Sequence, residues 1–129
     1  MSYIVPLGRI LFAAIFIIAG PGHFSANTIS YGASKGVPLA SIAVPLSGLI
    51  AMAGGLSILL GFKAKYGAWL IVLFLVPVTI MLHNFWAIPN PAQAQLQQVM
   101  FLKNLSMLGG ALLIAHFGSG PFSVDHRGK

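Results

Sequence analysis

The sequence predicts an all-α fold, a transmembrane four-helix bundle with both termini cytoplasmic, and three observations predict it. Only 6% of the 129 residues are charged while 57% are hydrophobic, and the mean hydropathy is +0.91. A soluble domain carries about a quarter charged residues, so this chain has too few polar groups to cover itself in water, and lipid removes the contradiction. Four apolar stretches, each near the roughly 20 residues that cross a bilayer, are separated by short segments rich in Gly, Pro, Ser or Asn. The Lys and Arg residues are also unevenly divided between the two ends such a bundle would have.

The first stretch runs from Tyr3 to Gly22. Arg9 before an apolar run is a signal-peptide pattern, but cleavage after Ala26 would put Phe24 where a small residue is wanted, so a retained helix is expected. The second stretch, Leu39 to Phe62, carries Ser47, Ala51 and Gly55 at every fourth position, with Gly54 adjoining. The third runs from Tyr66 to Phe85. Pro89 to Gln98 then reads as a turn and a helix start, and the fourth span runs from Val99 to Phe117 with Ser106 and Gly110 at the same spacing. Small residues let helix backbones approach where no hydrophobic drive exists, and packing within one bundle is the preferred reading over a dimer face. Tyr3, Tyr66, Trp69 and Trp86 lie near span ends, as interfacial aromatics do. Arg9, Lys63, Lys65, Arg127 and Lys129 fall at one end against Lys35 and Lys103 at the other, which by the positive-inside rule makes the first end cytoplasmic.

Composition also excludes several functions. The net charge is +6, but the seven basic residues are scattered singly, so no nucleic-acid partner is expected and lipid headgroups are. Cysteine is absent, which excludes thiolate catalysis and thiolate metal sites within the chain. Asp125 is the only acidic residue, so a carboxylate pair for acid–base work is excluded too, and no residue stands out as catalytic.

At about 1.5 Å per residue, His23 and His83 come near the outer edge of a core about 30 Å thick, with Lys103 somewhat deeper. His23, His83, Asn84, Lys103 and Asn104 therefore reach one level on three helices, with Gln97 and Gln98 above. Two readings compete. Lys103 snorkels outward and the histidines sit in the headgroup layer, or the group converges on a ligand. Imidazole, ammonium and amide suit a carbonyl or anionic oxygen, such as a quinone ring or a small oxyanion. Two histidines without carboxylate or thiolate support make a poor haem or metal site, and neither is expected. At the other end Arg9 has one possible carboxylate partner, Asp125, with lipid phosphate as the alternative, and His116 reads as interfacial.

Several short motifs resemble the DoxX family of membrane proteins. They are Leu7-Gly8-Arg9-Ile10-Leu11, Gly54-Gly55 with Leu59-Leu60-Gly61, His83-Asn84-Phe85-Trp86, and Phe101 to Gly110 continuing to Asp125. The resemblance implies a four-helix inner-membrane protein, with relatives linked to quinone-coupled thiosulfate oxidation, membrane oxidoreductase complexes and redox stress. Arg9, His83, Lys103, Asn104 and Asp125 match its polar pattern, while Ala51 stands where many members carry Glu. The expected role is an accessory subunit of an oxidoreductase system, with His83 and Lys103 on quinone carbonyls and His23 and Asn104 completing the wall. A complete enzyme is not expected, since no Rossmann fingerprint is present. The alternatives are a structural subunit packing into a larger membrane complex or homo-oligomer, and a small-solute carrier, for which intramembrane carboxylates are lacking.

Overall fold

A computed structural model describes residues 3–127. Among them the elements are helix α1 (Ile4–Ala19) with a 3-10 turn (Gly20–Phe24), α2 (Ala26–Ser34), α3 (Ala40–Leu60), α4 (Ala64–Leu82), and α5 (Pro91–Phe117). Short 3-10 turns at Phe85–Ala87 and Val124–His126 follow α4 and α5. Four helical segments are long and apolar enough to cross a membrane, Ile4–Phe24, Ala40–Leu60, Ala64–Ala87 and Pro91–Phe117, so the protein is a multi-pass membrane protein.

Capping explains where these elements differ in extent from the apolar stretches. The Asn90 side chain accepts hydrogen bonds from the backbone of Ala92 and Gln93 with Pro91 in the first turn, so α5 starts inside the connection. Its 27 residues make a helix about 40 Å long, and its glutamine-bearing first turns extend past the apolar part. The same chemistry builds α2, which hydropathy does not reveal. The Ser25 hydroxyl accepts from the Thr28 N–H and nucleates a helix between the first two spans.

Small side chains set the packing. α1 lies on α3, α3 on α4 and α4 on α5, while α1 and α5 face each other across a looser seam. Ala13, Phe16, Ala51, Ile58, Ala68, Ile71, Leu75 and Ala111 form the core. At the α3–α4 crossing, a Cβ on Gly54 would lie 2.8 Å from the Gly67 carbonyl oxygen. A Cβ on Gly48 would lie 2.8 Å from that of Gly20, where α3 meets the 3-10 turn. Ala51 and Gly55 are buried in α3, whereas Ser47 is half-buried with its hydroxyl turned back on the Val44 carbonyl. In α5, Gly110 packs under Phe12 across the seam, but Ser106 is exposed and donates to the Lys103 carbonyl. The inward stripe of α5 is Asn104, Met107, Leu108 and Ala111, rotated from the Lys103–Ser106 face. Large apolar side chains such as Ile18 and Leu113 face outward to lipid.

The two chain ends and the α3–α4 turn meet at one end of the bundle, and the contacts there correct the expected Arg9–Asp125 pair. Arg9 is buried, and its Nη1 donates to the carbonyls of Ile58 and Leu59 while Nη2 donates to those of Pro121 and Phe122. Ile58 and Leu59 close α3, whose last carbonyls lack helical partners and carry the negative end of its dipole. The Asp125 carboxylate instead accepts from the N–H groups of Lys63 (2.7 Å) and Ala64 (3.0 Å), at the positive start of α4. Each charge is thus matched to a helix terminus, and among the described residues the two form no ion pair. Gly61 makes this possible: its φ of 68° is open to glycine, and a Cβ there would lie 2.7 Å from Arg9 Nη1.

Burial opposes ionisation of Asp125, but hydrogen bonds from Ala64, Lys63 and Ser119, with the charge of His126, outweigh it and hold the carboxyl below its usual range. A depressed folded-state value means that the clamp is complete at neutral pH and is lost as pH falls through and below about 3.9. The protection of the Lys63 and Ala64 amides, measured against their intrinsic exchange rates at each pH, is expected to fall on acidification. Asp125→Asn should remove that acid dependence and cost about 1 kcal/mol, because the amide keeps one acceptor oxygen and turns an N–H donor toward the other backbone N–H.

Candidate functional site

At the opposite end, where the 3-10 turn, α4 and α5 meet, lies a chamber of about 230 Å³. His23, His83, Lys103 and Asn104 line it together with Phe74 and Met107, and Ala51 also reaches it. The break of α1 into a 3-10 turn carries His23 inward, where its Nδ1 donates to the carbonyls of Ala19 (3.3 Å) and Gly20 (3.2 Å). Carbonyls only accept, so Nδ1 holds the proton and neutral His23 presents Nε2 as an acceptor. Its ring meets Phe74 edge to face at 5.5 Å.

His83 is the C-cap of α4, and its Nδ1 lies 2.7 Å from Gln97 Oε1 on α5. With that oxygen accepting, the Nε2 of His83 is also left free. The bond joins α4 to the overhanging turns of α5, a role for Gln97 that sequence reading missed. Its only available signal was a polar residue directly above Asn104 and Lys103.

Asn104 is 95% buried on the inward stripe of α5, and its amide has no hydrogen-bond partner among the described residues. The amide is not sealed in: among the described residues the buried side-chain nitrogen left without a partner is Arg9 Nε, so the Asn104 amide faces the chamber and is open to a ligand. Lys103 is exposed at the rim, its Nζ 3.6 Å from Met100 Sδ, because the rotation that points Asn104 inward turns Lys103 aside. Asn84 is not part of the chamber; its Oδ1 accepts from Lys35 Nζ at 2.9 Å, near the surface. The one carboxylate, Asp125, is at the far end of the bundle. The chamber therefore gathers an amide and two imidazoles, with an ammonium at its rim and no side-chain carboxylate in its lining, an arrangement suited to an anionic oxygen.

Comparison with known proteins corrects the resemblance drawn from short motifs. The model of the SURF4 family matches residues 35–129. The chain is 35% identical over 123 residues to inner membrane protein YqjF of Escherichia coli, covering 94% of this chain and 88% of that protein. It is 29% identical over 123 residues to inner membrane protein YphA of the same organism, covering 94% and 87%. A Surfeit locus protein 4 homolog of Schizosaccharomyces pombe is 34% identical over 73 residues, 56% of this chain and 24% of that protein. No solved structure matches. The DoxX assignment is overturned by the family match, and with it the reading as a quinone-binding accessory subunit of an oxidoreductase system. The motifs misled because packing alone accounts for many of them. Gly54, Gly55 and Gly61 stand where backbones or Arg9 leave no room for a Cβ, demands that any small helical membrane protein can share.

Proposed function

The chain belongs to the SURF4 family, and from that premise we propose that it is a membrane-embedded binding protein whose chamber receives an anionic group. The observation that carries this reading is the chamber-facing amide of Asn104, which makes no hydrogen bond among the described residues, beside His23 and His83 in a chamber lined by no carboxylate. The Asn104 amide can donate to an anionic oxygen, as can each imidazole in its protonated form, and Lys103 at the rim favours the approach of negative charge. The E. coli relatives are named as inner membrane proteins, which supports the same location here. Both termini lie in the cytoplasm on this reading, since five basic residues stand at their end against two at the other. The stretch shared with the S. pombe relative is 73 residues, 56% of this chain and 24% of that protein.

Calorimetric titration of the purified protein with butyrate and with inorganic phosphate tests the proposal. Binding of either is expected, weakened about tenfold or more by Asn104→Ala and by His83→Ala, as loss of a hydrogen bond to a charged group implies. Affinities equal in the native protein and both variants would overturn it, as would no binding of either anion. Orientation has a separate test, because a chain without cysteine accepts single reporters cleanly. Ala92→Cys should react with an impermeant thiol reagent added outside intact cells, and Ser123→Cys should not.

A further inference from the structure

On the other side of the His23–Phe74 pair lies a second cavity of about 330 Å³, enclosed by the 3-10 turn, the α2 strap, α3 and α4. The two cavities share His23, Phe74, Val78 and Leu82 as a partition one side chain thick. The second differs from the chamber in chemistry. Val37, Val44, Ile50 and Met81 make its wall hydrocarbon. Its hydroxyls are engaged within the chain, Ser47 Oγ donating to the Val44 carbonyl at 2.6 Å and Thr28 Oγ1 accepting from Ser25 Oγ at 2.8 Å. A polar ligand would lose its hydration there and gain little in return, whereas a hydrocarbon chain loses nothing. Leu46 and Leu73 line the cavity yet are 51% and 57% exposed, so its mouth opens sideways into the acyl region of a bilayer.

The strap adds a charge. α2 is held down by Tyr31, whose hydroxyl donates to the Leu82 carbonyl at 3.1 Å, and by Lys35, whose ammonium donates to Asn84 Oδ1 at 2.9 Å. That amide is neutral, the Tyr31 ring lies 5.8 Å from the ammonium, and the one side-chain carboxylate caps α4 at the opposite end, so among the described residues Lys35 has no anionic partner. Lys35 stands two residues before Val37, which lines the cavity, and near the end of the bundle where lipid headgroups lie. Positive charge at headgroup level above a hydrocarbon slot is complementary to a lipid with an anionic head.

We propose that this cavity binds one acyl chain of an anionic membrane lipid, with Lys35 holding the headgroup. The lipid enters sideways between α3 and α4, and the site is separate from the anion chamber.

Reconstitution into phosphatidylcholine nanodiscs containing phosphatidylglycerol with a photoactivatable diazirine on one acyl chain reads occupancy directly. Mass spectrometry should find crosslinks gathered at Val44, Ile50 and Val78, well above the density on Leu112 and Leu113, which face bulk lipid on α5. Ser47→Phe, which fills the cavity, should abolish the first set and leave the second unchanged. Lys35→Gln, a change near the surface that leaves the helices intact, should lower cavity labelling by the anionic lipid about fivefold. Its effect on labelling by the same probe on phosphatidylcholine should be small. Labelling of the cavity no denser than on Leu112 and Leu113 would overturn the acyl-chain site. Equal labelling by both lipids, unaffected by Lys35→Gln, would overturn the role of the headgroup. Neither result depends on whether the chamber binds butyrate or phosphate.

Discussion

Replacing Arg9 with Ala is expected to destabilise the protein by about 3 kcal/mol, the upper range for hydrogen bonds made by a charged group. The guanidinium hydrogen-bonds the end of α3 and the C-terminal tail at once, through the carbonyls of Ile58, Leu59, Pro121 and Phe122. Its removal leaves acceptors facing one another across a hole from which lipid offers no donor. Arg9→Lys should recover only part of the loss, because a single ammonium cannot fork to both elements. The check is thermal unfolding in a mild detergent, together with protease sensitivity of the tail. A midpoint for Arg9→Ala within a degree of the native protein would show that the tail is held by Asp125 alone.

Gly54→Leu is expected to do comparable damage by a different route. A Cβ at this position already comes within 2.8 Å of the Gly67 carbonyl oxygen and 2.9 Å of Ile71 Cδ1, so an isobutyl group has nowhere to go. α3 and α4 must then separate along their crossing, and overpacking of this kind costs about 3 kcal/mol. Gly109→Leu supplies the contrast, because a Cβ there meets nothing within 4 Å and faces outward. That variant should fold normally. Equal yields of monodisperse protein from both variants would show that α3 and α4 do not cross at Gly54.

The spans were legible because hydropathy reports directly on what lipid can solvate, and the caps at Ser25 and Asn90 refine them once their hydrogen bonds are seen. Helix rotation was not legible. One residue of rotation, about 100°, separates Lys103 at the rim from Asn104 in the chamber, and spacing alone does not say which of the two faces inward. The level of the polar residues could be counted from the span ends, but level does not give direction, and Asn84 shares it while turning to Lys35. Arg9 and Asp125 illustrate a further gap. The sequence offers Asp125 or a lipid phosphate as the partner of Arg9, yet backbone ends of α3 and α4 supply opposite partial charges that no residue count reveals.

The length of α5 ties the chamber to the physical state of the bilayer. A helix of about 40 Å exceeds a hydrocarbon core of about 30 Å by its polar first turns, which stand outside the core, and a bilayer thinner than the apolar part is met by tilt. The His83–Gln97 bond is made by the overhanging turns, so tilting α5 changes the distance between the two residues that join it to α4 above the chamber. Membrane thickness thereby acts on the mouth of the site as a mechanical variable, and binding measured in short-chain and long-chain lipids should differ even when headgroup and ligand are the same.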